Sequence, residues 1–190
     1  PHLLIGGGTG GGKTYTMMSL ILALLPIAEI EICDPKDADL MQLNNLPVFE
    51  GKVYTGKAIL GCLRRNVDEM VRRYKFMKES PKFKMGKNYA YYGIPPKFIF
   101  VDEWAAFMTE LESMENGYKL ASEANAYMTQ LILKARQAGI FIVLAMQRPD
   151  GQYIQTALRD NFMFRMSVGT LSDTGYDMIF GDVNKEKNFK

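Results

Sequence analysis

Apolar residues in this chain fall into compact blocks separated by polar, glycine-rich or proline-rich stretches, and the spacing inside each block predicts its element. A short apolar strand, Leu3-Leu4-Ile5, is followed after a glycine run by a helix pattern over 15–25. Residues 28–33 alternate with period two and predict a second strand ending at Asp34-Pro35-Lys36; 44–49 reads as loop and 52–54 as a short strand. From 56 to 79, Ile59, Leu63, Val67, Met70, Val71, Tyr74 and Met77 recur at helical spacing and predict one long amphipathic helix. Residues 81–96 read as a loop or irregular hairpin. Phe98-Ile99-Phe100-Val101 predicts a strand buried on both faces. A helix start at Trp104, a polar interruption near 112–117 and a second long helix over about 118–138 come next, with Gly139 as its stop. Residues 140–146 form the most apolar strand, 162–168 a further strand carrying Arg165, and the tail from 181 is polar and expected to fray.

Strands alternating with helices predict an α/β fold: a mostly parallel sheet covered by helices on both faces, joined by right-handed crossovers. At 190 residues the chain suffices for one such domain. The balance of 23 basic against 21 acidic residues is too even to argue for nucleic acid, so any basic surface must come from local clustering. One cluster is visible on the 56–79 helix: Arg64, Arg65, Arg72, Arg73, Lys75 and Lys78. It suits either a nucleic-acid surface or a solvated helix face, diluted by Asp68, Glu69 and Glu79. Cys33 and Cys62 lack metal or Cys-x-x-Cys spacing and read as reduced packing residues. The apolar run 17–28 contains Pro26 and is too short to span a bilayer, so this stretch itself is expected to make no membrane contact. The chain opens abruptly on a strand and ends without a closing element, which leads us to expect part of a longer protein.

The candidate chemistry starts at the glycine run. Gly7-Gly8-Thr9-Gly10-Gly11-Gly12-Lys13-Thr14 fits the phosphate-loop pattern, Gly, any four residues, Gly-Lys-Ser/Thr, between a strand and a helix. Glycines let the backbone wrap until N–H groups point at phosphate oxygens, and the helix adds its positive end. Lys13 is then expected on the β- and γ-phosphates of ATP, and Thr14 on Mg²⁺. Asp102 and Glu103, where the 97–101 strand ends, suit the acid that holds the Mg²⁺ water shell and the base that orients and deprotonates the attacking water. Gln147, at the exit of the 140–146 strand, is the candidate γ-phosphate sensor if that strand neighbours the first.

Arg136 precedes that strand, so it is expected at the sheet edge opposite its own phosphate loop. It is open to two readings, an arginine finger acting in trans on a neighbouring subunit or a cation favourably placed at a helix C-terminus. Asp34-Pro35-Lys36 is likewise open, either charges on the ligand-binding edge of the sheet or an ordinary polar turn.

Pro1-His2-Leu3-Leu4-Ile5, Asp34-Pro35-Lys36, Glu69-Met70-x-x-Arg73-Tyr74, Val101-Asp102-Glu103, and Lys134-Ala135-Arg136-Gln137-Ala138-Gly139-Ile140 running to Gln147-Arg148-Pro149 stand in the order found in the FtsK/SpoIIIE DNA translocases, whose motor domain this chain resembles from residue 1 to about 182. The resemblance implies a RecA-like P-loop NTPase core over 1–182, with 183–190 as tail. It also implies a homo-hexameric ring around double-stranded DNA, ATP hydrolysis at subunit interfaces, a full-length protein at the cytoplasmic face of the cell membrane, and the trans role for Arg136. Thr9-Gly10-Gly11-Gly12-Lys13-Thr14 and Asp102-Glu103-Trp104-Ala105-Ala106 differ from the family's usual Thr-Gly-Ser-Gly-Lys-Ser and Asp-Glu-Phe-Ala-Asp. With the polar insertion around 112–119, they look more like the coupling ATPases of conjugative elements than like chromosome-segregating members. A different function on the same motor fold is a protein-secretion ATPase similar to the EccC proteins of type VII secretion. A third is a nucleotide-gated scaffold without turnover. Pore-lining residues are expected between 150 and 156.

Overall fold

The computed structural model describes residues 1–147, 154 and 156–181. Arg148, Pro149, most of the expected pore segment and the tail from 182 lie outside the described residues. Six strands pair into one sheet: β1 (Leu3–Gly6), β2 (Glu29–Cys33), β3 (Val53–Tyr54), β4 (Lys97–Asp102), β5 (Ile140–Met146) and β6 (Phe164–Ser167). Every neighbouring pair is parallel, in the order β3-β2-β4-β5-β1-β6. The helices are α1 (Lys13–Leu24), α2 (Ala58–Glu79), α3 (Trp104–Ser113), α4 (Gly117–Lys134), α5 (Thr156–Arg159) and α6 (Asp173–Phe180).

Alternate strand residues feed two cores, as a sheet covered on both faces requires. Leu4, Ile99, Val101, Ile142 and Leu144 pack under α2, α3 and α4 against Ile59, Leu63, Trp104, Phe107, Met128 and Leu131. Leu3, Ile5, Ile32, Phe100, Val143 and Ala145 face Met17 and Ile21 of α1, together with Leu40 and Phe49. Leu40 and Phe49 sit on short 3₁₀ turns, Leu40–Asn45 and Pro47–Phe49, in the stretch expected to be loop. All seven residues of β5 are buried, which places the most apolar strand near the middle of the sheet. None of the described helices is long and apolar enough to cross a membrane.

Three expectations need correction. The second long helix ends at Lys134, not Ala138: residues 135–139 form a turn in which Gly139 N–H bonds to Arg136 O at 3.2 Å and Ile140 N–H to Ala135 O at 3.1 Å. Gly139 has φ 79°, and a Cβ there would lie 2.5 Å from the Tyr89 ring, so the turn is closed by a residue from a distant loop. The basic stripe on α2 loses one member to the fold, while Arg64, Arg65, Arg72, Lys75 and Lys78 stay exposed, as on a solvated helix face. Arg73 is buried and donates to Glu69 Oε1 (2.9 Å), Pro95 O (2.8 Å) and Ala138 O (3.2 Å), Arg72 pairs with Glu69, and Arg65 lies over the Tyr54 ring at 4.9 Å. Val71, counted on the apolar face, is instead 58% exposed. The cysteines are free and buried, with their Sγ atoms 3.8 Å apart beside Glu31.

Candidate nucleotide site

β1 delivers its last residue, Gly6, to the C-terminal edge of the sheet, where the chain turns through 7–12 into α1. Gly12 caps α1 with φ 95°, a conformation that favours glycine, and no acid occupies the first turn of the helix. At Gly7 a Cβ would meet the Val168 carbonyl oxygen at 2.5 Å, so the chain after β6 packs directly on the loop. Gly7 N–H bonds to Met146 O (3.3 Å) and Gly11 N–H to Gly8 O (3.1 Å), which tie the loop to β5 and to itself. Lys13, 8% exposed, folds back so that its ammonium donates to Gly7 O (2.6 Å) and Gly8 O (3.2 Å). Gly8, Gly10, Gly11, Gly12, Lys13 and Thr14 line one cleft, with Tyr15 and Asp39 on its walls.

The strand order brings the acids to the same place. Gly6 is in register with Met146 of β5, and Asp102 with Ala145, so the phosphate loop and the end of β4 flank β5 at one edge, two strand spacings or roughly 10 Å apart. Lys13 interacts electrostatically with both Asp102 and Glu103; burial pushes its pKa down and these carboxylates oppose that. Burial raises the Asp102 pKa, Asp34 and Glu103 add to the rise, and Lys36 and Lys13 hold it back. Glu103 has a left-handed backbone (φ 60°, ψ 73°), rare for a residue with a long side chain and the kind of strain that concentrates at working sites. Its N–H bonds to Ala145 O (2.9 Å), and its buried carboxylate accepts the Gln147 backbone N–H. Gln147 therefore follows a strand that does neighbour β1, as its expected role requires.

Arg136 is exposed in the turn before β5, at the other edge. β5 alone separates it from Gln147 by about 20 Å, from six rises of roughly 3.3 Å. Its charge acts on His2, at the start of β1.

Sequence reasoning leaves Asp34-Pro35-Lys36 undecided, and the structure splits the motif. Asp34 is fully buried and accepts backbone N–H groups within its own turn, while Lys36 reaches Glu103 Oε2 at 3.8 Å. Asp39 and Tyr15 carry no sequence signal for the cleft they line. As for a metal, no group of three or more His, Cys, Asp or Glu among the described residues is placed to hold an ion. One hydroxyl (Thr14) and one carboxylate (Asp102) beside a phosphate cleft instead fit Mg²⁺, which keeps most of its waters and takes phosphate oxygens as ligands.

Comparison with known proteins bears on the family and the fold. The FtsK/SpoIIIE family model matches residues 1–93, and the chain is 51% identical over 187 residues to the FtsK domain-containing protein YdcQ of Bacillus subtilis (strain 168), covering 97% of this chain. The chain belongs to the FtsK/SpoIIIE family. It is also 30% identical over 203 residues to the DNA translocase FtsK of Borreliella burgdorferi, covering 98% of this chain. It spans 38% of the length of the Bacillus relative and 24% of the Borreliella one. Among solved structures, the monomer form of the pCW3 conjugation coupling protein TcpA with ATPγS superposes with a TM-score of 0.82 over 98% of this chain and 53% of that one, at 21% identity. The fold is thus the α/β P-loop NTPase fold of this family.

Proposed function

We propose that residues 1–182 are the motor of an ATP-hydrolysing double-stranded DNA translocase, working as a ring with nucleotide at subunit interfaces, in DNA transfer or chromosome segregation. The observation that carries this reading is the meeting of the phosphate loop, Asp102, Glu103 and Gln147 around the end of β5. The loop amides and Lys13 bind the triphosphate of ATP, and Thr14 and Asp102 hold the Mg²⁺ that neutralises it. Glu103 takes a proton from water as the water oxygen attacks the γ-phosphorus. The bond from that phosphorus to the β–γ bridging oxygen breaks, and ADP leaves with the electron pair. Gln147 contacts the γ-phosphate and reports its loss through the backbone bond to Glu103. Arg136, exposed and about 20 Å from its own site, acts on the neighbour's nucleotide.

Duplex DNA is favoured as substrate by relatives that are themselves named DNA translocases and match over nearly the whole of this chain. The test is ATPase activity of the ring-competent protein with and without duplex DNA. Stimulation by DNA is expected. Stimulation by helical secretion peptides instead, with DNA inert, would assign the motor to protein export, and no ATPase in a formed ring would overturn the motor reading.

A further inference from the structure

Cys33, the last residue of β2, is in register with Val101 of β4, so the residues beyond the two strand ends emerge side by side. The bend after β2 is built to hold a shape. Asp34, fully buried, accepts the N–H of Lys36 through Oδ1 (3.2 Å) and those of Ala38 (2.9 Å) and Met41 (3.0 Å) through Oδ2, and its own N–H donates to Tyr54 O (2.9 Å). Pro35 presets its own φ, and Asp37 sits in the left-handed region at φ 50°. Three bonds to one buried carboxylate are far more than a solvated turn needs, and they immobilise the backbone that carries Lys36.

The Lys36 side chain is 42% exposed, yet its ammonium lies 3.8 Å from Oε2 of Glu103, a carboxylate that is only 8% exposed. The same ammonium acts electrostatically on Asp102 and on Lys13. Glu103 is thus approached from both sides of β4: by the Gln147 backbone N–H from β5 and by Lys36 from β2. Its left-handed backbone offers no helix turn to steer the side chain, so these partners set where the carboxylate points.

We propose that Lys36 is a positioning residue for ATP turnover: its ammonium and the Gln147 backbone N–H hold the Glu103 carboxylate between them, and the Asp34-braced bend fixes where that ammonium stands. This rests on the ATPase reading above and concerns the same site. Because the ammonium pairs with the Glu103 carboxylate at 3.8 Å, while its repulsion of Lys13 is weaker than the pull of Asp102 and Glu103 on that residue, its loss is expected to act on the chemical step and to spare nucleotide binding.

The experiment uses the ring-competent protein as wild type, Lys36→Met (stem kept, charge removed) and Lys36→Arg (charge kept). It measures kcat and KM for ATP, equilibrium binding of a fluorescent non-hydrolysable ATP analogue, and the melting temperature. The expected result for Lys36→Met is a fall in kcat of at least fivefold, with KM and analogue affinity within twofold of wild type and an unchanged melting temperature. Lys36→Arg is expected to recover at least half of the lost kcat. A smaller fall or a rise in kcat overturns the proposal. So does any larger change in KM or analogue affinity, which would place the ammonium on the nucleotide itself. A loss that arginine does not recover, or that comes with a lower melting temperature, also overturns it, because the role would then be structural. A wild-type protein without ATPase activity overturns the motor reading, whereas an active wild type matched by Lys36→Met overturns only the role given to Lys36.

Discussion

The Glu103 carboxylate accepts the backbone N–H of Gln147 through both oxygens, Oε2 at 3.1 Å and Oε1 at 3.3 Å, so the acid that ends β4 is fastened to the exit of β5. Strand β5 also pairs with β1, and any shift at its end is shared by the phosphate loop and Glu103 together. The fastening suggests a clean substitution. Glu103→Gln keeps an acceptor oxygen for the Gln147 N–H but has no basicity. We expect ATP to bind with near wild-type affinity while hydrolysis falls by roughly 10²–10⁴-fold, the usual worth of a general base. Single-turnover hydrolysis alongside filter binding measures both. Near-normal hydrolysis would take the base role from Glu103, and unchanged biological function without hydrolysis would favour a scaffold.

Lys13 is the opposite case, a residue whose loss should act on binding. Its ammonium is held over the loop by Gly7 O and Gly8 O, where it stands ready to trade carbonyl partners for phosphate oxygens. Lys13→Ala removes several charge-assisted contacts worth about 1.5–3 kcal/mol each, so affinity for ATP should drop by roughly 100-fold or more. Isothermal titration with ATP and Mg²⁺ reads this directly. Unaltered affinity would mean that the glycine run binds no nucleotide.

Arg136 poses a question about two subunits. It is exposed, stands at the sheet edge remote from its own loop, and acts electrostatically on His2 at the start of β1. Arg136→Ala should leave ATP binding intact while hydrolysis falls by about 10³-fold or more, the scale of a lost arginine finger. Mixed with Lys13→Ala protein, it should regain activity wherever an intact loop faces an intact arginine across an interface. Rings of the two inactive variants that stay inactive when mixed would restrict Arg136 to a cation near a helix end.

How much of this is legible in the sequence depends on whether a feature is local. The seven apolar residues of β5 and the glycine run declare themselves, because period and composition are properties of neighbouring positions. That β5 lies between β4 and β1 is a property of the whole sheet, and it is what turns Asp102, Glu103 and Gln147 into one site. Arg73 looks like one cation in a stripe until Pro95 and Ala138, both far along the chain, supply the carbonyls that bury it. The early end of α4 has the same origin, since Tyr89 occupies the space beside Gly139. Helix α6 escapes a reading by periodicity because its pattern is only eight residues long. Its Ile179 nevertheless packs so tightly on Gly6 that a Cβ at Gly6 would lie 1.7 Å from Ile179 Cδ1. Lys36 is visible as a charge at a strand end, but its target is not, because register between β2 and β4 is not written in either strand alone.

His2 gives stability a pH dependence whose sign is set by its surroundings. It is 1% exposed, sits at the edges of the Phe141 and Phe162 rings, and accepts the Ile142 backbone N–H on Nδ1 at 2.9 Å, which requires the neutral imidazole. Burial above all, and more weakly the charge of Arg136, lowers its pKa from 6.5 to about 4. The folded state therefore binds this proton less readily than the unfolded chain. The contribution of His2 is complete above pH 6.5, declines as the pH falls from 6.5 to about 4, and changes no further below that. Over that window the loss amounts to about 3 kcal/mol at most, taking 1.36 kcal/mol for each pH unit between the two values. Denaturant unfolding of wild type and His2→Asn at pH 8, 6, 5 and 4 isolates the effect from the carboxylates, because asparagine still offers an oxygen to the Ile142 N–H yet does not titrate. The difference between the two proteins should swing against wild type as the pH is lowered. A difference that stays constant from pH 8 to pH 4 would show that the imidazole is protonated equally in the folded and unfolded chains, and that the strand start at β1 tolerates its charge.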